Sequence, residues 1–199
     1  MAPLRLFAAF DTPLPVKELA VQAIERLRSA EADVSWERAG KFHCTLKFLG
    51  SVEPGSVESI STSLRASAGR FPPFSVRYSG FGSFPNRHAP RILWLGIHND
   101  DGILPDLHRG LETALEVLGF LREERAFHSH LTLGRVRSPR KTLKLIEILE
   151  SLTLSSGVYP VREVKLMKSE PGPTGSHYTE MESYPLLGNR LGGGVIPVA

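Results

Sequence analysis

A chain of 199 residues, 41% hydrophobic and 23% charged, is long enough to bury a core without disulfides or structural metals, which excludes disordered, fibrous and disulfide-stapled classes. Its formal charge of +3 suits a phosphate-bearing partner without demanding one. No apolar run reaches membrane-spanning length, the start MAPLRLFAAFDTPLP is interrupted too early for a secretory signal, and the lone Cys44 can make no internal disulfide, so a cytoplasmic protein with no membrane contact is expected.

In chain order, RLFAAF (5–10) reads as a buried strand. Asp11-Thr12-Pro13 then offers a cap and a proline start for a helix through about Arg28, with Leu19, Ala20, Ala23, Ile24 and Leu27 on one face. VSW (34–36) predicts a short strand and FHCTLKFLG (42–50) another, followed by a helix over 54–67 and an extended segment over 74–84. The order then repeats. RILWLGI (91–97) predicts a strand, Asn99 and Asp100 are cap candidates, and Leu104, Leu107, Leu111, Leu115 and Leu118 form a helical stripe that stops at Gly119. FHSHLTLGRV (127–136) predicts a strand, Ser138-Pro139 the cap and first position of a helix over KTLKLIEILESL. VREVKLMKSE (161–170) and HYTEMESYPL (177–186) predict two closing strands joined by the turn-rich PGPTGS, and the glycine-rich 188–199 a mobile tail.

Two segments share one pattern: His43-Cys44-Thr45-Leu46 and His130-Leu131-Thr132-Leu133. The first histidine lies 38 residues after Arg5 and the second 39 after Arg91, so halves of about 4–84 and 91–186 read as an internal duplication within one domain, 1–187. Two similar lobes facing each other are implied. In a strand, alternate side chains share a face, so each motif presents one imidazole with one hydroxyl and turns its other residues to an apolar side. If the lobes are related by an approximate two-fold axis, both pairs meet in one groove. One neutral and one protonated imidazole make a base and an acid, threonine hydroxyls can donate to phosphate oxygens, and nearby cations can stabilise a pentacoordinate transition state. Such a set opens a cyclic phosphodiester with neither metal nor nucleotide cofactor.

Other readings stand beside this one. A single His-x-Thr in a strand is ordinarily a surface or hydrogen-bonded histidine. His128 and His130 form His-x-His, a spacing that ligates metal if His43, His177 or a carboxylate joins; otherwise His128 belongs at the cleft rim. His88, His98 and His108 read as surface residues, and Cys44 as a small buried thiol. Phe10 or Phe84 could stack on a nucleobase. Positive charge gathers near the motifs: Lys41 and Lys47 flank the first, while Arg135, Arg137, Arg140, Lys141 and Lys144 follow the second. The last four read as a solvated helix start, with RNA backbone contact as the second reading.

The paired motifs, with RLFAAFDTP, Trp36, FGSFP, RILWLG and VREVKLMKSE, resemble the 2H phosphoesterases, and within them the RNA 2′,3′-cyclic phosphodiesterases also called 2′-5′ RNA ligases. That resemblance implies an α+β fold of two pseudo-symmetric lobes of antiparallel sheet, helices on the outer faces, around a central cleft. It implies a monomer that hydrolyses RNA-terminal 2′,3′-cyclic phosphates, on tRNA fragments or short oligonucleotides, to 2′-phosphates. His43 would be the proton donor, His130 the proton acceptor, and Thr45, Thr132 and Arg135 would bind substrate, although strict alternation turns Arg135 away from His130 unless the strand bulges. The chain departs from the family in carrying Ser129 where proline is usual, which loosens the backbone before His130, and Cys44 where an aliphatic residue is common. A non-catalytic module that binds RNA ends or nucleotides is the alternative from a different class.

Overall fold

The computed structural model describes residues 2–172, 175–191 and 194–195. Four helices and nine strands make the body: β1 (Leu4–Asp11), α1 (Leu14–Arg28), β2 (Val34–Trp36), β3 (His43–Val52), α2 (Val57–Ala68), β4 (Phe74–Phe84), β5 (Ile92–His98), α3 (Ile103–Glu116), β6 (His130–Val136), α4 (Thr142–Ser151), β7 (Tyr159–Val161), β8 (Glu163–Glu170) and β9 (His177–Pro185). All nine belong to one antiparallel sheet of order β7-β4-β5-β6-β3-β1-β8-β9, with β2 added on β6.

The sheet has two lobes, because β3 and β6 meet at a single pair, Cys44 with Leu131. Each lobe draws on both halves of the chain. In the first, β1 and β3 are extended by the late strands β8 and β9; in the second, β5 and β6 are extended by the early strand β4. This exchange ties the halves together, since neither lobe has its full sheet without strands from the other half.

The sheet's outward side is apolar and carries the helices. Leu6, Ala8, Phe10, Cys44 and Leu46 are buried there in the first lobe, and Leu93, Leu95, Ile97, Leu131 and Leu133 in the second. Helix α3 packs on β3 and on α2, which covers β8 and β9; α4 packs on β4 and against α1. The leucine stripe of α3 is buried through Leu104, Leu107, Leu111 and Leu115, so truncating any one to alanine is expected to cost roughly 2–5 kcal/mol.

Some local expectations change. The α3 start is capped by the Oδ1 atoms of Asn99 and Asp101, which accept from the backbone N–H groups of Leu104 and Ile103. Asp100 instead makes a two-point ion pair with Arg77. Helix α4 begins at Thr142 rather than at Ser138-Pro139, after Lys141 in a left-handed turn (φ 58°) that stops a helix from running through 138–141. Ser129 does not loosen the approach to β6: its hydroxyl donates to the Ile97 carbonyl, and its own carbonyl accepts from the Ile97 N–H. The segment expected as a mobile tail is docked at its start, where the Gly188 N–H donates to the Phe71 carbonyl. Arg190–Leu191 then pairs with Gly194–Val195, and residues 192–193 and 196–199, like 173–174 of PGPTGS, lie outside the described residues.

Candidate active site

The two motif strands are built alike. His43 and Thr45 of β3, and His130 and Thr132 of β6, face one cavity of about 720 Å³ between the lobes. Past each threonine the ladder slips by one residue. Leu46 has no partner in β1, where Thr45 pairs with Ala9 and Lys47 with Ala8; Leu133 has none in β5, where Thr132 pairs with Trp94 and Gly134 with Leu93. An extra residue in one strand reverses the alternation beyond it. Arg135 therefore faces the cavity, as does Phe48, which holds the same place after His43 as Arg135 does after His130. Lys47 is carried the other way, into the core, where it pairs with Glu112 of α3 instead of flanking the site.

Each imidazole is held by the carbonyl two residues before it. Nδ1 of His43 donates to Lys41 at 2.7 Å, and Nδ1 of His130 donates to His128 at 2.7 Å. A carbonyl only accepts, so Nδ1 carries the proton in both rings and Nε2 is left toward the cavity. In the neutral ring of His43, Nε2 accepts from the Thr45 hydroxyl at 3.0 Å.

Burial holds both imidazoles below the ordinary histidine pKa, and in each the carbonyl contact to Nδ1–H works against burial. Arg135 pushes both down further. Among the described residues Asp11, which pairs with His43 across β1 and β3, is the one carboxylate that pulls either ring back up, and it acts on His43.

Aromatic walls stand on both sides. The Phe7 and Tyr178 rings lie 4.9 and 5.3 Å from His43, and Phe84 lies 5.0 Å from His130. Phe48, beside Phe7, is 60% exposed, which leaves a ring face open to a ligand. Of the two phenylalanines expected as stacking candidates, Phe84 lines the cavity and Phe10 is core. Arg5, Arg38, Lys41 and Arg135 supply positive charge, partly offset by Glu37, whose Oε1 is 3.8 Å from the Arg135 Nε. Phe7, Phe48 and Tyr178 carry no motif in the sequence, and the one signal for any of them is the five-residue offset from a motif histidine that Phe48 shares with Arg135.

Other candidates fall away. The ring of His128 packs 4.6 Å from Trp94 and opens on a smaller neighbouring cavity of about 330 Å³, while its carbonyl orients His130. Among the described residues no group of three or more His, Cys, Asp or Glu is placed to hold a metal ion, so His128 and His130 find no third ligand. His108 is not a surface residue, since it stacks on Phe127 at 4.0 Å and lies 3.6 Å from Glu112. Burial pushes the Cys44 thiol up to about 12, which makes it no nucleophile near neutrality.

A sheet of two facing lobes with matched motifs across one cleft defines a class of phosphoesterase, and comparison with known proteins supports it. A family model described as LigT-like phosphoesterase matches residues 11–94. RNA 2′,3′-cyclic phosphodiesterases of Methanothermobacter thermautotrophicus and Thermotoga maritima are 36% and 35% identical, over 92% and 88% of this chain and 98% and 91% of theirs. Among solved structures, a Thermus thermophilus protein matches with a TM-score of 0.78 at 25% identity, covering 94% of this chain and all of the other. Escherichia coli LigT complexed with 3′-AMP matches with a TM-score of 0.69 at 27% identity, covering 92% and 98%. The chain thus belongs to the LigT-like 2H phosphoesterases, the family of the RNA 2′,3′-cyclic phosphodiesterases.

Proposed function

We propose that this protein hydrolyses the 2′,3′-cyclic phosphate at an RNA end to a 2′-phosphate, with His43 as acid and His130 as base. The observation that carries the reading is the matched presentation of two Nε2 atoms to one cavity, each ring fixed through Nδ1. Neutral His130 takes a proton from water through Nε2 as the water oxygen attacks phosphorus in line with O3′. Thr45, Thr132 and Arg135 hold the non-bridging oxygens as negative charge grows on them. The P–O3′ bond breaks, protonated His43 delivers its Nε2 proton to O3′, and the product carries a 2′-phosphate and a free 3′-hydroxyl. Exchange of one proton with solvent at each ring restores the starting state.

Asp11, whose carboxylate is also paired with Lys165 at 2.7 Å, supports the division of roles. Its charge favours the protonated form of His43, and His130 has no such partner among the described residues. The names of the relatives support an RNA substrate, and the mononucleotide in E. coli LigT fits a site of this size. A 5′-hydroxyl of a second RNA end can take the place of water, giving its proton to His130 as P–O3′ breaks and His43 protonates O3′, so joining RNA ends by a 2′-5′ bond needs no further residue.

The test is incubation with a short RNA ending in a 2′,3′-cyclic phosphate, in EDTA and without ATP. Formation of the 2′-phosphate supports the reading. A 3′-phosphate product would overturn the assigned in-line geometry, and binding without turnover would favour a non-catalytic module.

A further inference from the structure

We propose that the cleft rim formed by β2, the end of β6 and the start of α4 is a binding surface for the single-stranded RNA chain 5′ of the reacting end. The proposal rests on the function given above for what occupies the cleft, and concerns residues that function leaves unused. Strands β3 and β6 are antiparallel and cross at Cys44 and Leu131, so residues beyond Thr132 run out of one end of the cleft and residues beyond Thr45 out of the other. The two ends differ in charge.

At the β6 end positive charge continues outward from the cavity. Arg38 and Arg135 line its mouth, and the side chain of Arg38 has no ion-pair or hydrogen-bond partner among the described residues. Arg137 follows, exposed, with one guanidinium nitrogen donating to the Ser35 hydroxyl at 3.1 Å. Next comes Lys141, paired with Glu31, and that carboxyl is held below its usual range first by Lys141 and then by Lys144 and Arg140. Of these six cations only Arg135, with Glu37, and Lys141, with Glu31, have an ion-pair partner among the described residues, which leaves four without one. On the opposite side Arg5 and Lys41 are the cavity-lining cations, the Lys41 ammonium lying over the Tyr178 ring, and Lys168 on β8 is paired with Glu170.

Cations that protein carboxylates leave in excess, arranged outward from a phosphate-sized site, match a polyanion whose terminal phosphate is in that site. The charge is borne by long side chains on a strand end and a helix start, and no aromatic residue interleaves them on α4. The contact is therefore to RNA phosphates, strengthened by counterion release, and carries no sequence preference.

The test uses the variant R137Q/R140Q/K144Q, which leaves the cavity residues and the Lys141–Glu31 pair intact. kcat/KM is measured from about 50 to 200 mM salt on an oligoribonucleotide ending in a 2′,3′-cyclic phosphate and on the corresponding mononucleoside cyclic phosphate. Each single-strand phosphate contact contributes roughly 0.7 to the log–log salt slope, so the variant's slope on the oligonucleotide should be shallower by about 2, with the mononucleotide unchanged. An unchanged oligonucleotide slope, or an equal loss on both substrates, would overturn the proposal. If the wild type turns over neither substrate, the proposed function fails instead, and fluorescence anisotropy of the labelled oligonucleotide gives the same slope comparison for the rim alone.

Discussion

Replacing Lys47 by methionine tests the reversal of alternation in β3. The Lys47 and Glu112 side chains are 2% and 6% exposed and stand 2.9 Å apart, with Nζ also donating to the Leu121 carbonyl. Lys47→Met keeps the volume and leaves a buried carboxylate. Breaking a buried pair from one side costs about 3–5 kcal/mol. Glu112 retains the Glu123 N–H at 3.1 Å and has His108 at 3.6 Å, a base able to take up a proton, so the low end, about 3 kcal/mol, is expected. For a chain of this size that is a fall in Tm of roughly 6–12 °C. Lys47→Met/Glu112→Leu removes both charges and should return to within about 1 kcal/mol of wild type. Urea unfolding with parallel thermal melts measures each arm, and turnover per folded molecule should stay within about twofold because Lys47 does not face the cleft. A Lys47→Met cost below about 1 kcal/mol, or a double variant as weak as the single, would mean that Lys47 is not held in a buried ion pair.

Further outcomes follow from the site and its supports. The pKa values of His43, His108 and His130 are all lowered on folding, so below about pH 6.5 the unfolded chain binds protons that the folded chain does not. Stability should be fully present above that pH and fall as pH drops through it, with His108→Gln reducing the slope; a denaturant midpoint flat from neutrality to mild acid would contradict this. Asp11→Asn removes the charge that favours protonated His43, so the alkaline limb of the pH profile of kcat/KM should move to lower pH, and an unmoved limb would count against His43 as the acid. Phe48→Ala takes away an open aromatic face and should raise KM for a nucleoside cyclic phosphate by roughly 5- to 150-fold with kcat little changed, while a baseless ribose cyclic phosphate should show no such rise. Gly134→Ala would bring a Cβ to 2.8 Å from Val34 and 2.9 Å from Trp36, so it should destabilise the β2 edge by about 1–3 kcal/mol, and a neutral effect would show that β2 yields easily.

Much of the fold was legible because its signals are local. Apolar runs, the leucine stripe of α3 and proline starts mark most elements, and period-two alternation places His43 with Thr45 and His130 with Thr132 on one face. What alternation could not supply was the bulge. Gly134 in LGR is a general cue for a bulge and LKF carries none, yet the slip decides that Lys47 is core and that Phe48 and Arg135 face the cleft. The exchange of outer strands between lobes was also hidden, because pairing partners far apart in sequence leave no mark in a single chain. Ser129 shows a third kind of gap: its hydroxyl bond to Ile97 fixes the backbone that a missing proline would seem to loosen.

If two imidazoles share one phosphoryl group as acid and base, turnover depends on both. The deciding measurement is single-turnover hydrolysis of a nucleoside 2′,3′-cyclic phosphate by the wild type, His43→Ala, His130→Ala and the double variant, in EDTA. Each single variant should stay folded and lose at least about 100-fold in rate, and the double should be little worse than either, since both groups serve one transition state. A double variant that still turns over at the wild-type rate would mean that neither imidazole takes part in the reaction.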